Sequence, residues 1–134
     1  MLLRADMDAL PHLENTGLPY ASTKIGKDAQ GKDTPIMHAC GHDMHVASLM
    51  AASTLLHSAR SKWSGTLISL FQPDEETGSG ALAMVEDGLY DQKKFGIPVP
   101  DIVLGQHVHK AKAGLVCLAA GPVLTAFDSR EYSR

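Results

Sequence analysis

Three short apolar runs, each running into residues that bind metal ions well, restrict the folds open to this chain. Leu2-Leu3-Arg4-Ala5-Asp6-Met7-Asp8-Ala9 opens apolar and closes on two acids. Gly65-Thr66-Leu67-Ile68-Ser69-Leu70-Phe71 leads into Gln72-Pro73-Asp74-Glu75-Glu76. Asp101-Ile102-Val103-Leu104-Gly105 leads into Gln106-His107. Runs of this length and make-up read as buried strands. Between the first two, residues 44–60 carry Val46, Leu49, Met50, Ser53 and Leu56 at three- and four-residue spacing among many alanines, which predicts a helix. Asp43 suits its N-cap or first turn. A second helix is expected from Gly80 or Ala81 to about Asp87, closed by Gly88, and a fourth strand from Gly114 to Ala119. Residues 12–37 hold Gly17, Gly26, Gly31, Pro19 and Pro35 among mixed charges and read as turns, at most a loose hairpin. Strand alternating with helix predicts an α/β fold with a mostly parallel sheet, and such sheets bind ligands at the carboxyl ends of their strands.

Composition excludes several function classes. At 134 residues, 44% hydrophobic and 20% charged, the chain has the profile of one soluble globular domain. A net charge of −3 without a basic cluster speaks against a nucleic-acid partner, and the sparse aromatics around Trp63 offer no stacking platform. No apolar run approaches the roughly 20 residues that span a bilayer, so no membrane partner is expected. The N-terminus lacks the basic-then-apolar pattern of a signal peptide, which makes the cytoplasm the expected location. Two cysteines, Cys40 and Cys117, are too few for a disulfide scaffold.

The chemistry concentrates at the predicted strand ends. In His38-Ala39-Cys40-Gly41-His42-Asp43, Cys40 and His42 stand two apart and reach the same side of an extended loop. Thiolate and imidazole together suit zinc, although a buried cysteine beside helix-capping residues has the same spelling. The downstream acids tip the balance toward ligation. Glu75 and Glu76 would on an exposed helix be solvated charge. At a strand end one can hold a metal while the other holds a water, the division of labour that metal-assisted amide hydrolysis needs. His107 after the third run is a credible ligand, with His109 a bystander. Asp6 and Asp8 are either ligands or the groups that orient a ligating histidine. His45 reads better as support or packing than as a ligand, Cys117 as core, and His12 and His57 as surface.

Four segments occur in a recognisable order: Arg4-Ala5-Asp6-Met7-Asp8-Ala9-Leu10-Pro11, Met37-His38-Ala39-Cys40-Gly41-His42-Asp43, Phe71-Gln72-Pro73-Asp74-Glu75-Glu76 and Gly105-Gln106-His107-Val108. On these the chain resembles the amidohydrolase branch of the aminoacylase and carboxypeptidase metallohydrolases (metallopeptidase clan MH), the branch of hippurate hydrolase and the plant indole-acetyl-amino-acid hydrolases. The resemblance covers nearly the whole chain. It implies a zinc-peptidase-like, three-layer α/β domain, of which residues 1–134 are a part. A lid that also mediates homodimer formation and a returning C-terminal half belong to the full-length relatives. It implies that Cys40, His42, Glu76 and His107 hold two divalent metal ions, zinc or manganese, with Cys40 bridging. Glu75 is implied as the general base, with Asp6, Asp8 and Asp43 behind the ligands, and a small N-acyl amino acid as substrate. Asp74 departs from the family's usual alanine, Gln106 from a usual leucine, and the loop from Ile25 to Pro35 is longer than usual.

Two further readings stand beside hydrolysis. One is a non-catalytic metal-binding fragment or interaction module derived from such an enzyme. The other is a nucleotide-fold-like domain with a structural zinc, against which the spare carboxylates argue, since structural zinc sites are closed by four ligands.

Overall fold

A computed structural model describes residues 1–28 and 30–117. β1 (Leu2–Asp6), β4 (Ile68–Gln72) and β5 (Val103–Gly105) form one parallel sheet in the order β4-β1-β5, with β2 (Ile25–Lys27) and β3 (Asp33–Pro35) as a separate antiparallel hairpin. β1 takes the centre, pairing Leu2 with Ile68 and Val103 and Asp6 with Gln72. Leu2 and Ala5 are buried there. Because the strands are parallel, their carboxyl ends share one edge, and the segments that leave them after Asp6, Gln72 and Gly105 emerge together. This is the expected α/β architecture, with the expected acids and histidine at that edge.

α1 (His42–Ser58) packs on β1 and β4, and α2 (Gly80–Glu86) on β4. The N-cap of α1 is Gly41 at φ 81°, and Asp43 stands in the first turn. His42, His45 and Leu49 form the buried line of the helix, so its first turn buries imidazoles and only the next turn buries an aliphatic side chain. Met50, expected on the apolar stripe, is 58% exposed. The inward face is set by the histidines, and Met50, one residue past Leu49, turns away from it.

Boundaries shift by a few residues from the sequence expectation. β1 ends at Asp6, and Asp8 lies beyond it; β4 begins at Ile68, after Gly65 at φ 112°. The hairpin is real: Asp28 Oδ1 accepts from the amides of Gln30 and Lys32 at 3.0 and 2.9 Å and stabilises its turn. The fourth strand does not form over residues 114–117, where Gly114 turns at φ 87°; the rest of that stretch lies outside the described residues. Cys117 is correspondingly exposed and not core, since no strand carries it inward. Among the described residues no helix is long and apolar enough to cross a membrane.

Candidate metal centre

His42 sits at the centre of the shared strand edge. Its ring is fully buried. Nδ1 lies 2.9 Å from Asp8 Oδ1, so the ring donates Nδ1–H to the carboxylate and keeps its lone pair on Nε2. Nε2 is buried and has no hydrogen-bond partner among the described residues. Around it stand Glu76 Oε1 at 3.7 Å, Glu75 Oε2 at 3.9 Å and Asp6 Oδ1 at 3.9 Å. A buried acceptor left unpaired costs free energy on the order of 1–3 kcal/mol. A cation between these atoms removes that cost and answers the carboxylates at once.

The remaining donors come from two loops. Cys40 precedes α1 and His107 follows β5; Cys40 Sγ and His107 Nε2 are 3.4 Å apart. His107 Nδ1 donates to the Val108 carbonyl at 2.6 Å, which frees its Nε2 toward the thiol. Ligand atoms of Cys40, His42 and His107 all fall within 4.8 Å of one another, and so do those of His42, Glu75 and Glu76. His42 belongs to both groups. Thiolate, imidazole and carboxylate in one cluster suit a borderline divalent cation such as zinc.

A third cluster, Asp6 with His42 and His45, has the same spacing but a different character. His45 Nδ1 bonds to Asp6 Oδ1, and its Nε2 accepts the Val108 amide at 2.9 Å. With both nitrogens engaged, His45 has no lone pair left for a metal. Asp6 also accepts from Arg4 at 2.7 Å, and Arg4 reaches Gln72 Oε1 at 2.9 Å. Asp8 spends its second oxygen on the Glu76 amide at 3.0 Å, so one carboxylate fixes both the His42 ring and the main chain that carries Glu76.

Charge follows this geometry. Burial alone raises the Asp6 pKa, but the hydrogen bond from His45 and the charge of Arg4 outweigh it, and the carboxyl lies below its ordinary 3.8. Burial likewise opposes ionisation of Asp8, and the Glu76 amide and its own amide prevail, again lowering the pKa. Burial pushes the Cys40 thiol above its ordinary 9.0, and Glu76 and Glu75 push it the same way. A cation reverses that last effect, because it favours the thiolate.

The Glu75-Glu76 segment is held by an unusual turn. Asp74 adopts φ 52°, a left-handed conformation that aspartate tolerates better than most residues. Its carboxylate accepts from Thr77 at 2.8 Å and from Ser79. Gly80 packs so closely that a Cβ there would lie 1.8 Å from the Pro73 carbonyl oxygen. Asp43, by contrast, is exposed; it lines a groove with Glu14, Tyr20 and His38 and makes no hydrogen bond to the cluster. The parts of Arg4 and Gln72 were missed in the sequence. Arg4 two residues before Asp6 on one strand face was the available signal for the first; nothing marked Gln72.

A parallel α/β sheet whose strand ends gather a thiol, two imidazoles with free Nε2 atoms and paired glutamates has the make-up of a metallohydrolase domain. The comparison with known families agrees: Peptidase family M20/M25/M40 matches residues 2–121, and the chain belongs to that family. It is 46% identical over 127 residues to N-acetyl-L-cysteine deacetylase of Bacillus subtilis, covering 94% of this chain and 27% of that protein. It is 40% identical over 134 residues to IAA-amino acid hydrolase ILR1-like 6 of Arabidopsis thaliana (96% and 26%). It is 48% identical over 105 residues to hippurate hydrolase of Campylobacter jejuni (78% and 23%). The chain thus spans about a quarter of the length of these relatives. No solved structure matches it.

Proposed function

We propose that this chain supplies the metal-binding edge of a hydrolase that cleaves the amide bond of small N-acyl amino acids. Cys40, His42, Glu76 and His107 hold the divalent metal, two ions of zinc or manganese in the complete site. Such ions supply Lewis acidity toward the amide carbonyl. The observation that carries the reading is His42 Nε2, buried and unpartnered, between the glutamates on one side and Cys40 with His107 on the other.

The chain's own groups divide the work. Asp8 holds the His42 tautomer and, through the Glu76 amide, the second ligand segment. Glu76, whose charge weighs more than that of Glu75 on the Cys40 thiol and whose Oε1 is the nearer of the two to His42 Nε2, is the ligand of the pair in this reading. Glu75 is left free to take the proton of the attacking water and pass it to the leaving amine. The chain spans about a quarter of the length of its relatives, which favours a second reading for the chain by itself: a metal-binding part of a larger hydrolase.

Two variants and one assay test the proposal. Zinc or manganese should remain with the protein through dialysis and be largely lost in Cys40→Ser. In the complete protein, Glu75→Gln should keep its metal and lose nearly all release of amino acid from N-acyl substrates. Equal metal in Cys40→Ser removes that residue from the site, and undiminished turnover in Glu75→Gln removes Glu75 from its role.

A further inference from the structure

We infer that His45 is the positioning residue for His107 and acts through the main chain of Val108. The inference rests on His107 being a metal ligand. His45 and Asp6 are 0% and 1% exposed, and Asp6 fixes the ring by taking its Nδ1–H. That leaves the lone pair on Nε2, which accepts the Val108 N–H at 2.9 Å. The other end of the same residue, the Val108 carbonyl, accepts Nδ1–H of His107 at 2.6 Å. Val108 is therefore bonded on one side to His45 and on the other to the ligand, and its carbonyl selects the His107 tautomer whose free Nε2 meets Cys40 Sγ at 3.4 Å.

The support runs deeper than one bond. Asp6 is held by Arg4, and Arg4 by Gln72, so the line from Gln72 to His107 ties β4, β1, α1 and the segment after β5 together. Val108 also packs closely on the residue before α1: a Cβ on Gly41 would stand 2.7 Å from its Cγ2. The rings of His45 and His107 meet edge to face with centroids 4.6 Å apart. A buried imidazole needs partners for its nitrogens whatever its role, and what singles this one out is which groups it pairs with. Here each has a partner, and the Nε2 partner is the amide next to a ligand.

Two substitutions separate the halves of the ring. His45→Asn keeps a donor where Nδ1 was, facing Asp6, and has nothing to offer Val108. His45→Gln puts an acceptor where Nε2 was and keeps the bond to the Val108 amide. With Co2+ as the probe on the full chain, His45→Asn should bind about 10–100-fold more weakly and change the visible d–d and thiolate-to-cobalt bands. His45→Gln should stay within about threefold of the unaltered protein and keep its spectrum. Unchanged binding and spectrum in His45→Asn, or equal weakening in two folded variants, overturns the inference. Should His45→Asn fail to fold, the unaltered metal-free protein decides: long-range 15N–1H correlation must show His45 protonated at Nδ1 only, and the Val108 amide must be protected from hydrogen exchange. Protonation at Nε2, or free exchange of that amide, overturns it. Failure of the unaltered chain to take up Co2+ counts instead against His107 as a ligand, and is told apart because the tautomer measurement needs no metal.

Discussion

Replacing Asp8 by asparagine tests the centre at the point where one side chain does two things. The carboxylate accepts from His42 Nδ1 at 2.9 Å and from the Glu76 amide at 3.0 Å. Asparagine has the same shape but only one accepting atom. If its oxygen faces His42, the NH2 group meets the Glu76 N–H donor to donor and the ligand segment is released. If the oxygen faces Glu76, the NH2 group meets His42 Nδ1, which then keeps its lone pair there and carries its proton on Nε2, the atom the proposed metal would need. The first choice loses one hydrogen bond to a charged group, about 1.5–3 kcal/mol, and the second keeps both contacts but turns the His42 lone pair away from Nε2. Applied to metal binding, this is a loss of about 10–100-fold, the range seen when a group behind a ligand is removed. The assay is competition for zinc with a chromophoric chelator, with circular dichroism to establish that the variant is folded. Asp8→Ala, which loses both bonds, should be weaker still. A folded Asp8→Asn that binds zinc within about threefold of the unaltered chain would refute the argument that His42 and Glu76 depend on this carboxylate.

Other outcomes follow from the same geometry. Asp6 and Asp8 titrate below 3.8 in the folded chain, so their contribution to stability is complete above that value and lost as pH falls through the lower folded pKa; acid unfolding of the metal-free chain should begin at higher pH in Asp6→Asn. In Cys117→Ser, alkylation of Cys40 should have its midpoint above pH 9.0, move down in Glu76→Gln, and be suppressed by zinc. Gly80→Ala, whose Cβ would lie 1.8 Å from the Pro73 carbonyl oxygen, should displace the Glu75-Glu76 turn and cost both stability and metal, read by melting and chelator competition. Asp74→Val should destabilise by about 1–2 kcal/mol through its left-handed backbone, whereas Asp74→Asn should cost little.

The strands and their edge were legible because apolar runs and terminal acids are local signals. Glu75, Glu76 and His107 could be assigned to one edge as soon as the sheet was taken as parallel, since parallel strands deliver their carboxyl ends to one side. Asp43 stands in the first turn of α1 as expected, but not behind the ligands as the resemblance implied: neighbours on a helix point about 100° apart, and Asp43 turns out to solvent while His42 turns in. Residue 45, one turn on, returns to the His42 side, which is why it and not Asp43 reaches Asp6. Over residues 114–117 the expected strand does not form, because a short apolar run forms a strand only where a neighbour pairs with it, and Gly114 instead turns.

One rule sorts the three histidines of the centre. In each, Nδ1 faces an oxygen: Asp8 for His42, Asp6 for His45 and the Val108 carbonyl for His107. Each ring is thereby fixed with its lone pair on Nε2, and what Nε2 meets decides its part. For His42 it meets no donor and lies among carboxylates; for His107 it meets a thiol; for His45 it meets a backbone N–H. His42 can bind a cation without breaking a hydrogen bond, and at His107 a cation replaces only the contact with the thiol, which can itself turn to the cation. His45 cannot, because binding there would strand the Val108 amide beside the site. Residues i and i+3 share a helix face, so spacing alone does not separate His42 from His45, although the sequence already favoured support for the second. The geometric difference is the Val108 amide after β5, which takes up His45 Nε2 and has no counterpart at His42; in the proposed reading that contact, not the residue type, leaves His42 to the metal and gives His45 the part of support.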